Sequence, residues 1–208
     1  MSGQKNPDSV DSAVMRRVKA HPKGWVFTPD VFLDIGSRRA VDMALARQLR
    51  CGHIRRLARG IYDRPKNHRQ LGLLAPSVEA IAEALKGRDA IRLQPSGAYA
   101  ANLMGLSDQV PMKVVFLTDG SSRHVRFGNR EILFKRTTPR NMATAGRTSG
   151  TVIQALRWLG RTHVDDAVIA MLAKRLNERD KRTLLKDIRY APAWIGQIMR
   201  AIAGKERP

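Results

Sequence analysis

Apolar residues along this chain change period twice, dividing it into a front of short mixed elements, a strand-rich middle and a helical tail. Val10, Val14, Met15 and Val18 recur at helical spacing and predict a helix over residues 11–19, closed by Pro22. Trp25-Val26-Phe27 is a short extended piece that can pair as a strand. A brief helix follows, with Thr28 as its N-cap and Pro29 at its first position. Asp34-Ile35-Gly36 makes a turn, Ser37 caps a third helix running to about Arg50, and Gly52 lies beyond it as a stop. Ile54-Arg55-Arg56-Leu57 and Gly60-Ile61-Tyr62 are β-prone runs joined through Ala58-Arg59-Gly60.

The stretch from Arg64 to Gln70 has no apolar period and is predicted to be a linker. A helix is expected from Ser77 to about Lys86 with Gly87 as its stop, then a strand over 90–93 and a helix from Ser96 through Leu103, ending at Gly105. Val114–Thr118 is the clearest strand; Arg123–Phe127 alternates charged and apolar residues, and Glu131–Arg136 follows a Gly128-Asn129 turn. These strands predict an antiparallel sheet. The tail carries helical periods around Val152–Leu159, Val164–Leu176, Asp180–Arg189 and from Pro192 through Ile202. The expected fold is therefore α+β: an N-terminal winged helix-turn-helix over 8–64, then 71–208 as a small α/β domain (about 71–140) with C-terminal helices (about 150–203).

Charge sharpens this outline. Across 208 residues, 38 Lys+Arg face 18 Asp+Glu, a net charge of +20. Hydrophobic residues are 43% of the chain, enough for a core, whereas an aromatic share of 5% argues against a surface built from base-stacking platforms. The excess is +9 over residues 1–70, +3 over 71–136 and +8 over 137–208. Arginine supplies 27 of the cations, and its planar fork suits phosphates and guanine edges. No run reaches the roughly 20 apolar residues of a membrane span, and the N-terminus lacks a signal-peptide pattern. The lone Cys51 excludes an internal disulfide and a multi-cysteine zinc site, and is expected to be a partly buried apolar residue. A cytoplasmic, soluble protein with a polyanionic partner is expected.

The third helix gives the charge a place. Val41, Ala44, Leu45, Gln48 and Leu49 fall on one side, and Arg39, Met43, Ala46, Arg47 and Arg50 on the other, with Arg38 at the exposed start. Helix, glycine turn and arginine-faced helix is the order of a helix-turn-helix, and the basic hairpin after it is the wing of a winged helix. Arg38, Arg39, Met43 and Arg47 are thus candidates for a major groove, Arg50 for a phosphate, and Arg55, Arg56 and Arg59 for the flanking backbone. His53 and Tyr62 are expected to be packing or hairpin residues rather than ligands.

The stretch Ala44–Tyr62 resembles the N-terminal domain of the AbiEi family, through a leucine-bearing helix, Gly52-His53-Ile54-Arg55-Arg56-Leu57 and Arg59-Gly60-Ile61-Tyr62. Ser77-Val78-Glu79-Ala80-Ile81-Ala82 and Pro95–Leu103 are similar to that family's second domain, so the likeness covers about residues 10–140. AbiEi proteins are antitoxins of type IV toxin–antitoxin systems that repress their own operon. The resemblance implies double-stranded operator DNA with inverted repeats as one partner and a nucleotidyltransferase-like toxin as another.

Catalytic constellations are sparse. There is no Walker loop and no Gly-x-Gly-x-x-Gly after a strand, and the five histidines are scattered, so neither cofactor nor metal is expected. A metal-dependent nuclease using Asp119, Glu131 and Lys135 is the alternative enzyme reading, although Glu131 and Lys135 do not show the usual acid–lysine alternation on one strand. RNA binding, or a purely protein-binding factor, is a further alternative. A second basic cluster (Arg175, Arg179, Lys181, Arg182, Lys186 and Arg189) can meet phosphates or an acidic protein. Adjacent acids at Asp165-Asp166 are accounted for by a helix N-terminus.

Overall fold

The computed structural model describes residues 9–204; the expected domain start at Asp8 lies outside them. The fold is α+β and divides into two compact units, one of residues up to Ala90 with Arg126–Gly128, the other of 91–125 and the chain from Asn129 onward. Sequence places the division at 64–71. The structure keeps the next helix with the first unit because that helix packs on the first strand.

In the first unit, α1 (Val10–Ala20) is capped by Ser9, whose hydroxyl accepts from the Ser12 N–H at 3.2 Å. Strand β1 (Val26–Phe27) follows, then Pro29–Phe32. This last segment is a 3-10 turn, with Val31, Leu33 and Ile35 N–H groups donating to carbonyls three residues back. The expected capping by Thr28 fails: its hydroxyl is buried and has no partner among the described residues. Helix α2 (Arg38–Arg50) is capped by Ser37, which accepts from Ala40 N–H at 3.3 Å, and Gly52 at φ +72° ends it. Strands β2 (Arg55–Ala58) and β3 (Ile61–Asp63) form the hairpin, and β1 pairs antiparallel with β3, giving the order β1-β3-β2. Val14, Val18, Phe27, Phe32, Val41 and Leu45 form the core beneath. Phe27 meets Phe32 edge-on at 5.4 Å and stacks on Tyr62 at 6.0 Å.

The expected linker is partly ordered as a small hairpin of β4 (Asn67–His68) and β5 (Gly72–Leu73). Helix α3 (Val78–Asp89) starts at the Ser77 cap but runs through Gly87; it stops at Ala90, whose φ of +49° takes the left-handed geometry expected of a glycine.

A four-stranded sheet of β6 (Leu93–Ser96), β7 (Lys113–Thr118), β8 (Arg123–Phe127) and β9 (Arg130–Arg136), in the order β6-β7-β9-β8, belongs to the second unit except for the end of β8 from Arg126. It is mixed, not antiparallel: β6 runs antiparallel to β7, and β9 runs parallel to it, with Val114 opposite Ile132 and Phe116 opposite Phe134. The reason is burial. Ile132-Leu133-Phe134 makes β9 the more apolar strand of its hairpin, so it takes the interior position and the charged β8 goes to the edge. The strand expected over 90–93 sits three residues later, as β6.

Helices α4 (Gly97–Leu103) and α5 (Pro139–Met142) precede α6 (Thr148–Leu159), the hub of this unit. Every residue from Ser149 to Leu156 is buried. Small residues let α4 lie close on it: Ala100, Ala101 and Ala155 are fully buried together. Around α6 stand α7 (Asp166–Arg175), capped by Asp165, α8 (Glu178–Asp187) and α9 (Ala193–Ile202), with Leu156, Leu172, Leu184, Ile195 and Met199 in their shared core. The Asp187 carboxylate, 2% exposed, accepts from Ser149 Oγ at 2.5 Å and pairs with Arg147 at 3.0 Å, pinning the two ends together. No described helix is long and apolar enough to cross a membrane.

Gly150 admits no side chain. A Cβ there would stand 2.1 Å from Gln94 Oε1 and 2.5 Å from the Thr144 carbonyl oxygen. Gly150→Ala is therefore expected to lower stability by about 2–4 kcal/mol, as overpacking of a buried helix does. Urea denaturation followed by circular dichroism measures it, and an unchanged midpoint would refute this packing constraint.

Candidate nucleic-acid interface

The two faces expected of α2 are present. Val41, Ala44, Leu45 and Gln48 are buried, while Arg38, Arg39, Met43, Ala46, Arg47 and Arg50 are exposed. Met43 is 54% exposed, high for a methionine. Arg39, Met43 and Arg50 line one stripe, and eleven residues at 1.5 Å rise carry it about 16 Å along the helix.

Carboxylates separate these arginines into two kinds. The Arg38 guanidinium donates to Asp42 at 3.2 Å and to Asp30 at 3.0 Å. Arg47 donates to Asp11 at 3.2 Å, and the same carboxylate takes the Gln48 amide at 2.8 Å, fastening α2 to α1. Arg39 and Arg50 have no side-chain partner among the described residues. On α2 they are the arginines free to meet an external anion.

The hairpin sorts its arginines in the same way. Arg55 stands opposite Asp63 across β2 and β3 and forms a two-pronged pair with it at 3.0 and 2.5 Å, while also donating to the Leu74 carbonyl at 2.9 Å. Asp63 is 1% exposed, so Arg55 holds the fold together and is not available as a wing residue. Arg56, one position on, projects to the other side and is exposed, touching only the Ala58 carbonyl at 3.4 Å. Arg59 is exposed at the tip, beside Gly60 at φ +72°. Tyr62 packs on Phe27, whereas His53 is exposed ahead of the hairpin, its ring nitrogen 2.8 Å from the Gln48 side-chain oxygen. Cys51, expected to be partly buried, is exposed.

Arg17 braces the turn ahead of α2. It meets both Asp34 carboxylate oxygens at 2.7 and 2.6 Å and also donates to the Val31 carbonyl. Hydrogen bonding from Arg17 holds Asp34 below the usual carboxylate range, and Asp34 in turn raises Arg17.

The nuclease candidates are not brought together. Lys113 lies opposite Glu131 and Thr118 opposite Arg136, so Asp119 and Glu131 lie at opposite ends of the strand pair, about 20 Å apart for six residues of rise. Asp119 is taken by Arg92 at 2.7 Å, which draws it below its usual range, and Glu131 by His124 at 3.2 Å. Among the described residues no group of three His, Cys, Asp or Glu could hold a metal ion. In the second basic cluster, Lys181 pairs with Glu178 at 2.9 Å, Arg175 donates to the Leu103 carbonyl at 3.2 Å and Arg189 lies over the Tyr190 ring. Arg179, Arg182 and Lys186 stay exposed.

A family model matches residues 13–184, which take in both units. The chain belongs to DUF6088, a family of unknown function. DUF6088 thus spans the arginine-striped helix, the hairpin, the mixed sheet and the helices as far as Leu184. No curated protein matches the chain.

Two outcomes follow from the pairing pattern. Asp63→Asn leaves Arg55 half-buried without its counter-charge and is expected to cost about 2–3 kcal/mol, read from Trp fluorescence during urea unfolding; a loss within error would show that the Leu74 carbonyl suffices. Asp34 has a depressed folded pKa, so its pairing stabilises the protein above the unfolded value near 3.9 and is lost as pH falls through the folded value. Stability measured between pH 5 and 2 should accordingly fall less in Asp34→Asn than in the parent chain.

Proposed function

We propose that this chain is a DNA-binding transcriptional regulator that reads duplex DNA with α2 and the β2–β3 hairpin. The observation that carries the reading is the sorting of arginines. Within one small unit, carboxylates hold Arg17, Arg38, Arg47 and Arg55, while Arg39 and Arg50 on α2 and Arg59 at the hairpin tip have no side-chain partner among the described residues. Unpaired guanidiniums on a helix of 13 residues, with an exposed hairpin after it, suit a major groove and its flanking phosphates. Arg39 and Met43 are the base-edge candidates, Arg50, Arg56 and Arg59 the phosphate contacts, and Arg38 and Arg47 orient the helix through their pairs.

The resemblance to AbiEi supports a narrower form of the same reading, an autorepressing antitoxin opposite a nucleotidyltransferase-like toxin in the cytoplasm, without enzymatic activity of its own. Fluorescence anisotropy with the DNA preceding the chain's own gene, against a scrambled duplex, tests the core proposal. Arg39→Ala should lower the specific-to-scrambled ratio about tenfold or more, whereas Arg56→Ala/Arg59→Ala should weaken both duplexes alike and flatten the salt dependence by about two phosphate contacts. Equal, salt-insensitive binding by parent and variants would overturn it.

A further inference from the structure

The C-terminal helices enclose a pocket of about 310 Å³, within the usual range of small-ligand sites. It lies wholly in the second unit, apart from any residue assigned to DNA. Its walls come from three elements: Arg161 in the 3-10 turn after α6 and Val164 at the end of that turn, Ile169 in α7, and Trp194, Gln197, Ile198 and Arg200 along α9.

Three properties of this lining point the same way. Arg161 and Arg200 have no side-chain partner among the described residues. In the same unit Arg92 pairs with Asp119, Arg147 with Asp187, Arg157 bonds Asn141 and Arg175 a main-chain carbonyl, whereas Arg161 and Arg200, like Arg179 and Arg182 on α8, are left for an outside anion. Two guanidinium forks lining one cavity suit a group with several anionic oxygens. Trp194 is half-buried and no described aromatic ring stacks on it, so an indole surface lines the same cavity beside Ile169 and Ile198. Gln197 adds a side-chain amide with both donor and acceptor.

We propose that this pocket binds a nucleotide, its phosphate held by Arg161 and Arg200 and its base laid against Trp194. An inorganic anion alone leaves the apolar wall unused, and an uncharged ring leaves the arginines unanswered. The nucleotide is either free or part of a single strand.

Isothermal titration of the full chain tests this, with adenosine monophosphate as probe beside adenosine, inorganic phosphate and a ten-residue oligo(dA). The monophosphate should bind one-to-one, roughly tenfold or more tighter than adenosine or phosphate. Arg161→Gln/Arg200→Gln should weaken it at least tenfold, with the helical circular dichroism and duplex-DNA binding retained. Trp194→Phe, which keeps a ring and spares the core, should weaken it only modestly. Oligo(dA) binding tighter than the monophosphate, and lost in the double variant, assigns the pocket to a strand; weaker binding assigns it to the free nucleotide. No heat with millimolar monophosphate, or an affinity unchanged in the double variant, overturns the proposal.

Discussion

The hairpin that follows α2 depends on one carboxylate. Asp63 is sealed from solvent, and a buried acid must find a cation or give up its charge. It finds Arg55 directly opposite, and that meeting fixes the pairing of β2 with β3. Because side chains alternate along a strand, fixing Arg55 inward turns Arg56 outward. Reaching on to the Leu74 carbonyl, Arg55 also ties the β4–β5 hairpin to the same point. The same device recurs elsewhere. Asp11 gathers Arg47 and Gln48 to join α1 to α2, and Asp187 gathers Arg147 and Ser149 to close the C-terminal helices around α6.

A chain with 38 cations and 18 anions cannot neutralise itself, so the placing of each acid decides which cations remain outward. In the first unit Asp11, Asp30, Asp34, Asp42 and Asp63 all hold arginines. Of the arginines on α2 and the β2–β3 hairpin, those left over lie on one helix stripe and at the hairpin tip, while Lys19, Lys23, Lys66 and Arg69 are exposed elsewhere in the unit. In the second unit the leftovers include Arg179, Arg182 and Lys186 on α8 and two arginines around a cavity.

Local signals carried much of the fold into view. Ser37, Ser77 and Asp165 cap the helices that their sequences announce, and the buried face of α2 follows its apolar period. Long-range choices were not legible. That β9 would slip between β7 and β8 depends on competition for the interior of the sheet, which periodicity within each strand does not record. The end of α3 at Ala90 contradicts the glycine signal at 87: one glycine inside a helix costs only about 1 kcal/mol and does not by itself stop it. For the site, the arginine stripe was readable from spacing, and the Arg38–Asp42 pair lies at the helical i,i+4 distance. The withdrawal of Arg47 by Asp11, 36 residues away, was not. Nor were Arg161 and Arg200, which come together only through the packing of separate helices.

The order of the sheet has a further consequence for how molecules of this protein meet one another. Its most apolar strands, β7 and β9, are flanked on both sides and offer no open backbone to a second copy. Of the two outer strands, β6 contains Pro95, which has no N–H to donate, and β8 presents Arg123, His124 and Arg126 within five residues. Each border of the sheet thus discourages strand-by-strand growth into fibrils, one by a missing donor and the other by repulsion between like charges.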